Sequence, residues 1–250
     1  MTGSTSLKKA IVIGASSGIG EALVRELSVQ GYEIGLVARR IELLNNIQKE
    51  LPTKSYTVQV DISKHKEAME RLENLISKMG AVELIVINSG VRIPNKELLF
   101  KNDMDTIDVN VSGFVAMTNV AVKHFMRQMS GHLVGISSIA GLKGSGGSPS
   151  YNASKAFVSR YMDGMRQKFS GTNIHVTDVR PGFVDTKMVE TIQERFWVAS
   201  CEKAARQIWC AIRKRRKIVY ITRRWTILAC VALFVPDVLY NWLYRKFRSW

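Results

Sequence analysis

The sequence predicts an α/β fold of the doubly wound class: a seven-stranded parallel sheet with helices on both faces. Three observations lead there. Short, almost wholly apolar runs alternate with longer stretches of helical periodicity along most of the 250 residues. A glycine-rich turn, GASSGIG at 14–20, follows the first apolar run and opens the first helical stretch. No repeat and no interdomain linker breaks the alternation, so successive β-α-β units build one sheet with right-handed crossovers.

The first strand is KAIVIG at 9–14, bounded by glycine as a buried parallel strand would be. Ile19, Leu23 and Leu27 then form one helical stripe that stops near Gly31. EIGLVAR at 33–39 is the second strand, and IELLNNIQKEL the second helix. SYTVQVD at 55–61 is the third strand, followed by the helix HKEAMERLENLISKM, which ends at Gly80. ELIVINS at 83–89 is the fourth strand, and a long helix is expected over roughly 103–128. HLVGISS at 132–138 is the fifth strand. The loop GLKGSGGSPS leads from it into a helix bearing Tyr151 and Lys155. NIHVTDV at 173–179 is the sixth strand, ended by Pro181-Gly182. The helix SCEKAARQIWCAIRKR and the strand KIVYI at 217–221 complete the domain, which spans 1–222 and leaves 223–250 as an extension. Ligands of such sheets bind at the carboxyl ends of the strands.

Composition narrows the class. Hydrophobic residues make up 46% and charged residues 23%, the balance of a globular chain. The net charge is +15, and the last 38 residues alone carry +9. The basic excess is therefore mostly a C-terminal property, pointing to an anionic partner for that end. Three cysteines, an odd number, suit free thiols in a reducing, cytoplasmic setting. Four scattered histidines have no metal-ligand spacing, so no metal is expected. MTGSTSLKK leads straight into a strand without the pattern of a secretory signal.

Chemistry concentrates in a few places. Tyr151 and Lys155 stand at i and i+4, on one face of a helix. An ammonium beside a phenol favours the phenolate and lowers its pKa, which tunes it for proton transfer near neutral pH. The Ser138 hydroxyl, upstream in GISSIAG, suits holding a substrate oxygen, and Ser137 is its neighbouring rival. In the glycine turn, Gly14 permits the tight bend, Gly18 lets backbone N–H groups reach a pyrophosphate, and Gly20 lets helix pack closely on sheet. Ser16, Ser17 and Ile19 fill the same turn. The second strand ends in Arg39-Arg40 rather than a carboxylate. That fork suits a ribose 2′-phosphate, with Ser16 adding a hydrogen bond, and favours NADP(H) over NAD. The alternative is that both arginines simply solvate the start of the second helix.

The glycine spacing, Asn88-Ser89-Gly90, Asn110, Ser138, Tyr151, Lys155 and Pro181-Gly182, in this order, resembles the short-chain dehydrogenase/reductase family over about residues 8–222. The resemblance implies a Rossmann-type fold and a hydride transfer between a nicotinamide and a substrate carbon. It implies Tyr151 as general acid or base, Lys155 as its modulator and ribose ligand, and Ser138 as holder of the substrate oxygen. Asn110 would hold a water beside the lysine, with a helix-interior asparagine bonding backbone as the alternative. Asp61, with Ile62 beside it, would contact the adenine or cap the next helix. Asn88, Gly90, Val184 and Thr186 would line the cofactor, the last two at the carboxamide. Ile13, and Ile87 and Ser89 on either side of Asn88, depart from the family's usual residues. A small carbonyl or alcohol, hydrophobic or lipid-like, is the implied substrate. Phe183, Met188, Phe196 and Trp197 lie in the apolar segment expected to cover it, and a homodimer or homotetramer is the implied assembly. A non-catalytic NADP(H)-binding sensor or scaffold is the competing reading, against which the intact Ser138, Tyr151 and Lys155 argue.

The extension RRWTILACVALFVPDVLYNWLYRKFRSW has an apolar run of eleven residues, Trp225 to Val235. A spanning helix needs ~20. Arginine, lysine and tryptophan flank the run on both sides, the pattern of an anchor lying on an anionic membrane surface. The alternative is a helix packed on its own fold or on a second subunit. Nucleic acid would account for the charge but not for the apolar run, so no nucleic-acid partner is expected.

Overall fold

The computed structural model describes residues 8–186, 188, 197–236, 238 and 242. Seven parallel strands form one sheet in the order β3-β2-β1-β4-β5-β6-β7. They are β1 (Lys9–Ile13), β2 (Glu33–Ala38), β3 (Ser55–Gln59), β4 (Leu84–Ile87), β5 (Gly131–Ile136), β6 (Ile174–Pro181) and β7 (Ile218–Ile221). The order reverses between β1 and β4, which pair directly with Ile13 opposite Ile87. That reversal opens the crevice in which ligands of such sheets sit.

The helices are α1 (Gly18–Val29), α2 (Ile41–Glu50), α3 (His65–Met79), α4 (Phe100–Ile107), α5 (Phe114–Gln128), α6 (Pro149–Lys168), α7 (Cys201–Arg213) and α8 (Arg224–Phe234). Strand side chains alternate between the two faces, and the core divides accordingly. Ile11 and Ile13 of β1 join Leu72, Leu75, Phe125 and Met162 from α3, α5 and α6. Ala10 and Val12 of the same strand join Leu23, Leu27, Leu44 and Ile208 from α1, α2 and α7. Every residue of β2 is buried, which is why it reads as a continuous apolar run rather than an alternating one.

The stretch expected as one helix over 103–128 is broken. A π-helical turn at Asp108–Gly113 separates α4 from α5. A Cβ on Gly113 would come 2.7 Å from the Ile62 carbonyl, so the chain passes close to the end of β3 only because that position is glycine. Wide turns of this kind are frequent at functional sites, and this one carries Asn110.

The extension is joined to the sheet. Trp225, at the start of α8, is 4% exposed and meets Phe183 and Trp197 edge to face at 5.5 and 6.1 Å. A Cβ on Gly182 would fall 2.2 Å from the Trp225 ring. At the other end of α8, Lys143 Nζ donates to the Val235 carbonyl at 3.3 Å. Of the segment expected to cover the substrate, Phe196 lies outside the described residues, as do the basic and aromatic residues from 243 to the end.

Candidate active site

A cleft of about 760 Å³ opens at the carboxyl ends of the strands. Gly14, Ser16, Ser17, Gly18, Ile19, Arg39, Arg40, Asp61, Ile62, Asn88, Gly90, Ser138, Tyr151, Lys155, Pro181, Gly182, Val184 and Thr186 line it. Met188 joins them. Gly20 and Asn110 stand behind its wall.

The glycine turn is shaped by backbone needs. Gly14 has φ +90° and Gly18 φ +61°, a region that costs other residues free energy. A Cβ on Gly20 would lie 2.0 Å from the Gly14 carbonyl oxygen and 2.6 Å from Asn88 Nδ2. Only glycine therefore lets α1 begin against the end of β1. Asn88 locks the turn by donating from Nδ2 to the Gly14 carbonyl at 2.9 Å. The start of α1 faces the cleft, with free N–H groups and a favourable field for an anion.

At the ribose end, Arg40 Nη2 donates to Ser16 Oγ at 2.9 Å and to Ser17 Oγ at 2.7 Å. The end of β2 and the glycine turn thus bring a guanidinium and two hydroxyls to one point. Asp61 accepts from the Ser63 backbone N–H at 3.1 Å and from its hydroxyl at 2.7 Å. Burial disfavours the Asp61 carboxylate. The Ser63 hydrogen bonds and the charges of Arg39 and Lys64 outweigh it and hold the pKa below the ordinary value. Asp61 therefore shapes the turn before α3 and also faces the cleft.

At the other end, Ser138 follows β5 in extended conformation. Its Oγ accepts the Ala140 N–H at 3.1 Å and donates to the Pro181 carbonyl at 3.3 Å. Ser138 also bears on the Tyr151 phenol, acting to lower its pKa. Ser137 points the other way and is 3% exposed, its hydroxyl donating to Asp178 Oδ1 at 2.5 Å. Strand alternation thus separates the two serines and gives Tyr151 to Ser138.

Lys155 is 5% exposed and donates from Nζ to the Ile136 carbonyl at 3.1 Å. The ammonium lies 5.9 Å from the Tyr151 ring centre. Burial lowers its pKa to about 8, against the opposing charge of Asp178. The expected lowering of the Tyr151 pKa is not met in this structure. Burial pushes the phenol up, and the contributions that act downward come from the Ser138 hydrogen bond and the charge of Arg92. Removing water from the phenolate outweighs the neighbouring charge.

Asn110 is 1% exposed and bonds backbone outside its own helix. Its Oδ1 accepts the Val91 N–H at 2.8 Å. Its Nδ2 donates to the Val91 carbonyl at 2.8 Å and to Ser154 Oγ at 3.0 Å. It clamps the chain after β4 against α6, one turn from Tyr151. A Cβ on Gly90 would sit 3.1 Å from Lys155 Nζ and 3.3 Å from Asn110 Oδ1, so a bare backbone is what lets those two groups close together. Arg92 and Asp178 were not singled out from sequence. Asp178 did leave a signal, as the one acid in an apolar strand, two residues before Arg180.

A glycine turn at one end of the cleft and a Ser-Tyr-Lys cluster at the other are an arrangement suited to a nucleotide-dependent oxidoreductase. The comparisons give the family. The model for short chain dehydrogenases matches residues 8–196, and the chain belongs to that family. An uncharacterized oxidoreductase of Myxococcus xanthus is 35% identical over 191 residues, covering 74% of this chain and 76% of that one. Among solved structures, the closed form of serine dehydrogenase complexed with NADP+ is 27% identical with a TM-score of 0.73, covering 81% of this chain and 88% of its own. The 3-oxoacyl-[acyl-carrier protein] reductase of Brucella melitensis in complex with NAD is 20% identical with a TM-score of 0.77, covering 87% and 96%, a likeness of fold alone. The protein is a short-chain oxidoreductase acting between CH–OH and C=O with a nicotinamide cofactor.

Proposed function

We propose that the protein interconverts a ketone and a secondary alcohol with NADP(H), on a hydrophobic or lipid-like substrate. The observation that carries the cofactor choice is Arg40 Nη2 meeting Ser16 and Ser17, which brings a cation and two hydroxyls to one point at the end of β2, where the chain places Arg39 and Arg40 and no carboxylate. The NADP+ complex of the 27% identical serine dehydrogenase supports the same choice. The glycine turn and the start of α1 would hold the pyrophosphate, Lys155 the nicotinamide ribose, and Val184 and Thr186 the carboxamide. When bound, the nicotinamide supplies or accepts the hydride. Tyr151 gives the substrate oxygen its proton in reduction and takes it back in oxidation. Ser138 orients that oxygen, and Lys155 keeps a positive charge beside the phenol. Asn110 completes the clamp that holds α6 against the cleft.

Apolar Phe183, Trp197 and Trp225 beside Gly182 support a hydrophobic substrate of 3-oxoacyl, keto-sphingoid or steroid type. We further propose that 223–250 rests on the anionic cytoplasmic face of a membrane and that the enzyme is a homodimer or homotetramer. Exposed Arg223, Arg224, Ile227 and Val231 on the outer side of α8 support the first. Exposed Phe157 on α6 supports the second.

The test is a carbonyl panel graded by chain length, with serine included in the oxidative direction, run with NADPH and with NADH. Turnover rises with chain length and with NADPH. Arg40→Ala raises KM for NADPH roughly tenfold or more, the loss of charge-assisted hydrogen bonds, and leaves KM for NADH nearly unchanged. Equal use of both cofactors by the unaltered enzyme overturns the NADP(H) reading. No turnover across the panel returns the protein to a sensor or scaffold role.

A further inference from the structure

Asp178 lies in β6, opposite Gly135 of β5, and is 0% exposed. Its Oδ1 accepts the Ser137 hydroxyl at 2.5 Å, and its Oδ2 accepts Arg180 Nε at 2.7 Å. Arg180 continues outward, donating from Nη1 to the Tyr220 hydroxyl of β7 at 3.0 Å and lying over that ring. On the other side, Ile136, which precedes Ser137, receives the Lys155 ammonium on its carbonyl. A single carboxylate is thus fixed by the residue between the Lys155 acceptor and Ser138. A carboxylate so deep in a core costs several kcal/mol in solvation, and Arg180 alone would be equally satisfied by an exposed partner.

We propose that Asp178 is a positioning residue for the proton-transfer pair: its carboxylate, held by Ser137 and Arg180, keeps the Lys155 side chain charged and seated on the Ile136 carbonyl beside Tyr151. The proposal rests on the assignment of Lys155 and Tyr151 to proton transfer. The groups that bear on Lys155 come from three directions. Tyr151 lies on its own helix, with the charge of Arg92 reaching that phenol from the chain after β4. Asp178 faces it from β6 and raises its pKa against the lowering by burial. Arg180 stands behind Asp178 and partly neutralises it, with the Tyr220 hydroxyl accepting from Arg180 in turn. Two substitutions should therefore act with opposite sign. Asp178→Asn removes the attraction and should make the ammonium lose its proton more readily. Arg180→Gln unmasks the carboxylate and should do the reverse.

Competitive labelling of the full chain with acetic anhydride over a pH series, with the Lys155 peptide followed by mass spectrometry, reads this directly. It needs neither cofactor nor substrate, so it fails or succeeds separately from the proposed activity. The Lys155 midpoint falls by about one pH unit in Asp178→Asn, rises in Arg180→Gln, and returns towards the original value in Asp178→Glu. Thermal melting and far-UV circular dichroism establish that each variant is folded. Should Asp178→Asn not fold, Arg180→Gln carries the test. A folded Asp178→Asn or Arg180→Gln protein whose Lys155 midpoint stays at the original value overturns the proposal, as does movement of both in the same direction, which a purely structural role would give.

Discussion

Burial acts on Tyr151 and Lys155 in opposite senses, because one ionises to an anion and the other from a cation. The phenol stays protonated through neutral pH, ready to donate to a carbonyl oxygen. The ammonium keeps its proton only below about 8. The sign of the pH dependence follows. Carbonyl reduction is fully expressed below that value and declines as pH rises through it, as Lys155 becomes neutral. A profile of kcat/KM from weakly acid to alkaline pH checks this. Tyr151→Phe removes the proton donor and should cost on the order of 100- to 10,000-fold in kcat while the dissociation constant for NADPH changes little, measured by fluorescence titration. Near-normal turnover in that variant would sink the assignment. The residues proposed for this chemistry were legible in the sequence because their types and spacing are what such chemistry asks for. The direction of the Tyr151 shift was not, since it depends on how much water the packed cleft excludes.

At the scale of elements, glycines separate into those the fold uses and those it tolerates. Gly20→Ala forces a Cβ against the Gly14 carbonyl, displacing either α1 or the turn. Such overpacking typically costs ~1–3 kcal/mol and here also distorts the phosphate cradle. Gly164 lies within α6 with nothing near its missing Cβ. Gly164→Ala should therefore stabilise by ~1 kcal/mol through helix propensity. Thermal melts of the two variants should move in opposite directions, and NADPH affinity should fall only in the first. The succession of strands and helices along the chain was readable from period and glycine placement. The π-helical turn was not: DVNVSG at Asp108–Gly113 is poor in strong helix formers but carries no pattern specific to a widened turn, and the close approach of Gly113 to the Ile62 carbonyl joins segments far apart in sequence.

For the whole molecule, the question is what the extension does. Trp225 turns inward against Gly182, while Ile227 is 71% and Val231 53% exposed on the other side of the same helix. Among the described residues, no helix is long and apolar enough to cross a membrane. The membrane contact we propose is peripheral and electrostatic in part, with each basic residue near the surface worth ~1 kcal/mol. In flotation with vesicles containing phosphatidylglycerol, the full chain should rise with the lipid, and less so with phosphatidylcholine alone. Arg223→Glu with Arg224→Glu should leave it behind. Equal recovery of both in the soluble fraction counts against membrane contact. Substitution is the better probe than truncation, because removal of 223–250 would also uncover Gly182 and Phe183.

By itself the sequence determined the sheet, its parallel sense and the glycine turn, and it put forward the residues proposed for proton transfer. Each of these is written in local periodicity, or in residue types that one chemistry requires. Only the tertiary structure decided that Ser138 rather than Ser137 meets Tyr151, that Arg40 closes on Ser16 and Ser17, that Asp178 sits behind Lys155, and that Trp225 seals against Gly182. Those outcomes depend on which side chains the pleat turns to one face, and on contacts between segments tens of residues apart. The Tyr151–Lys155 pair was visible from the start. The water-poor surroundings that set its charge were assembled by β5, β6 and the end of β4 together.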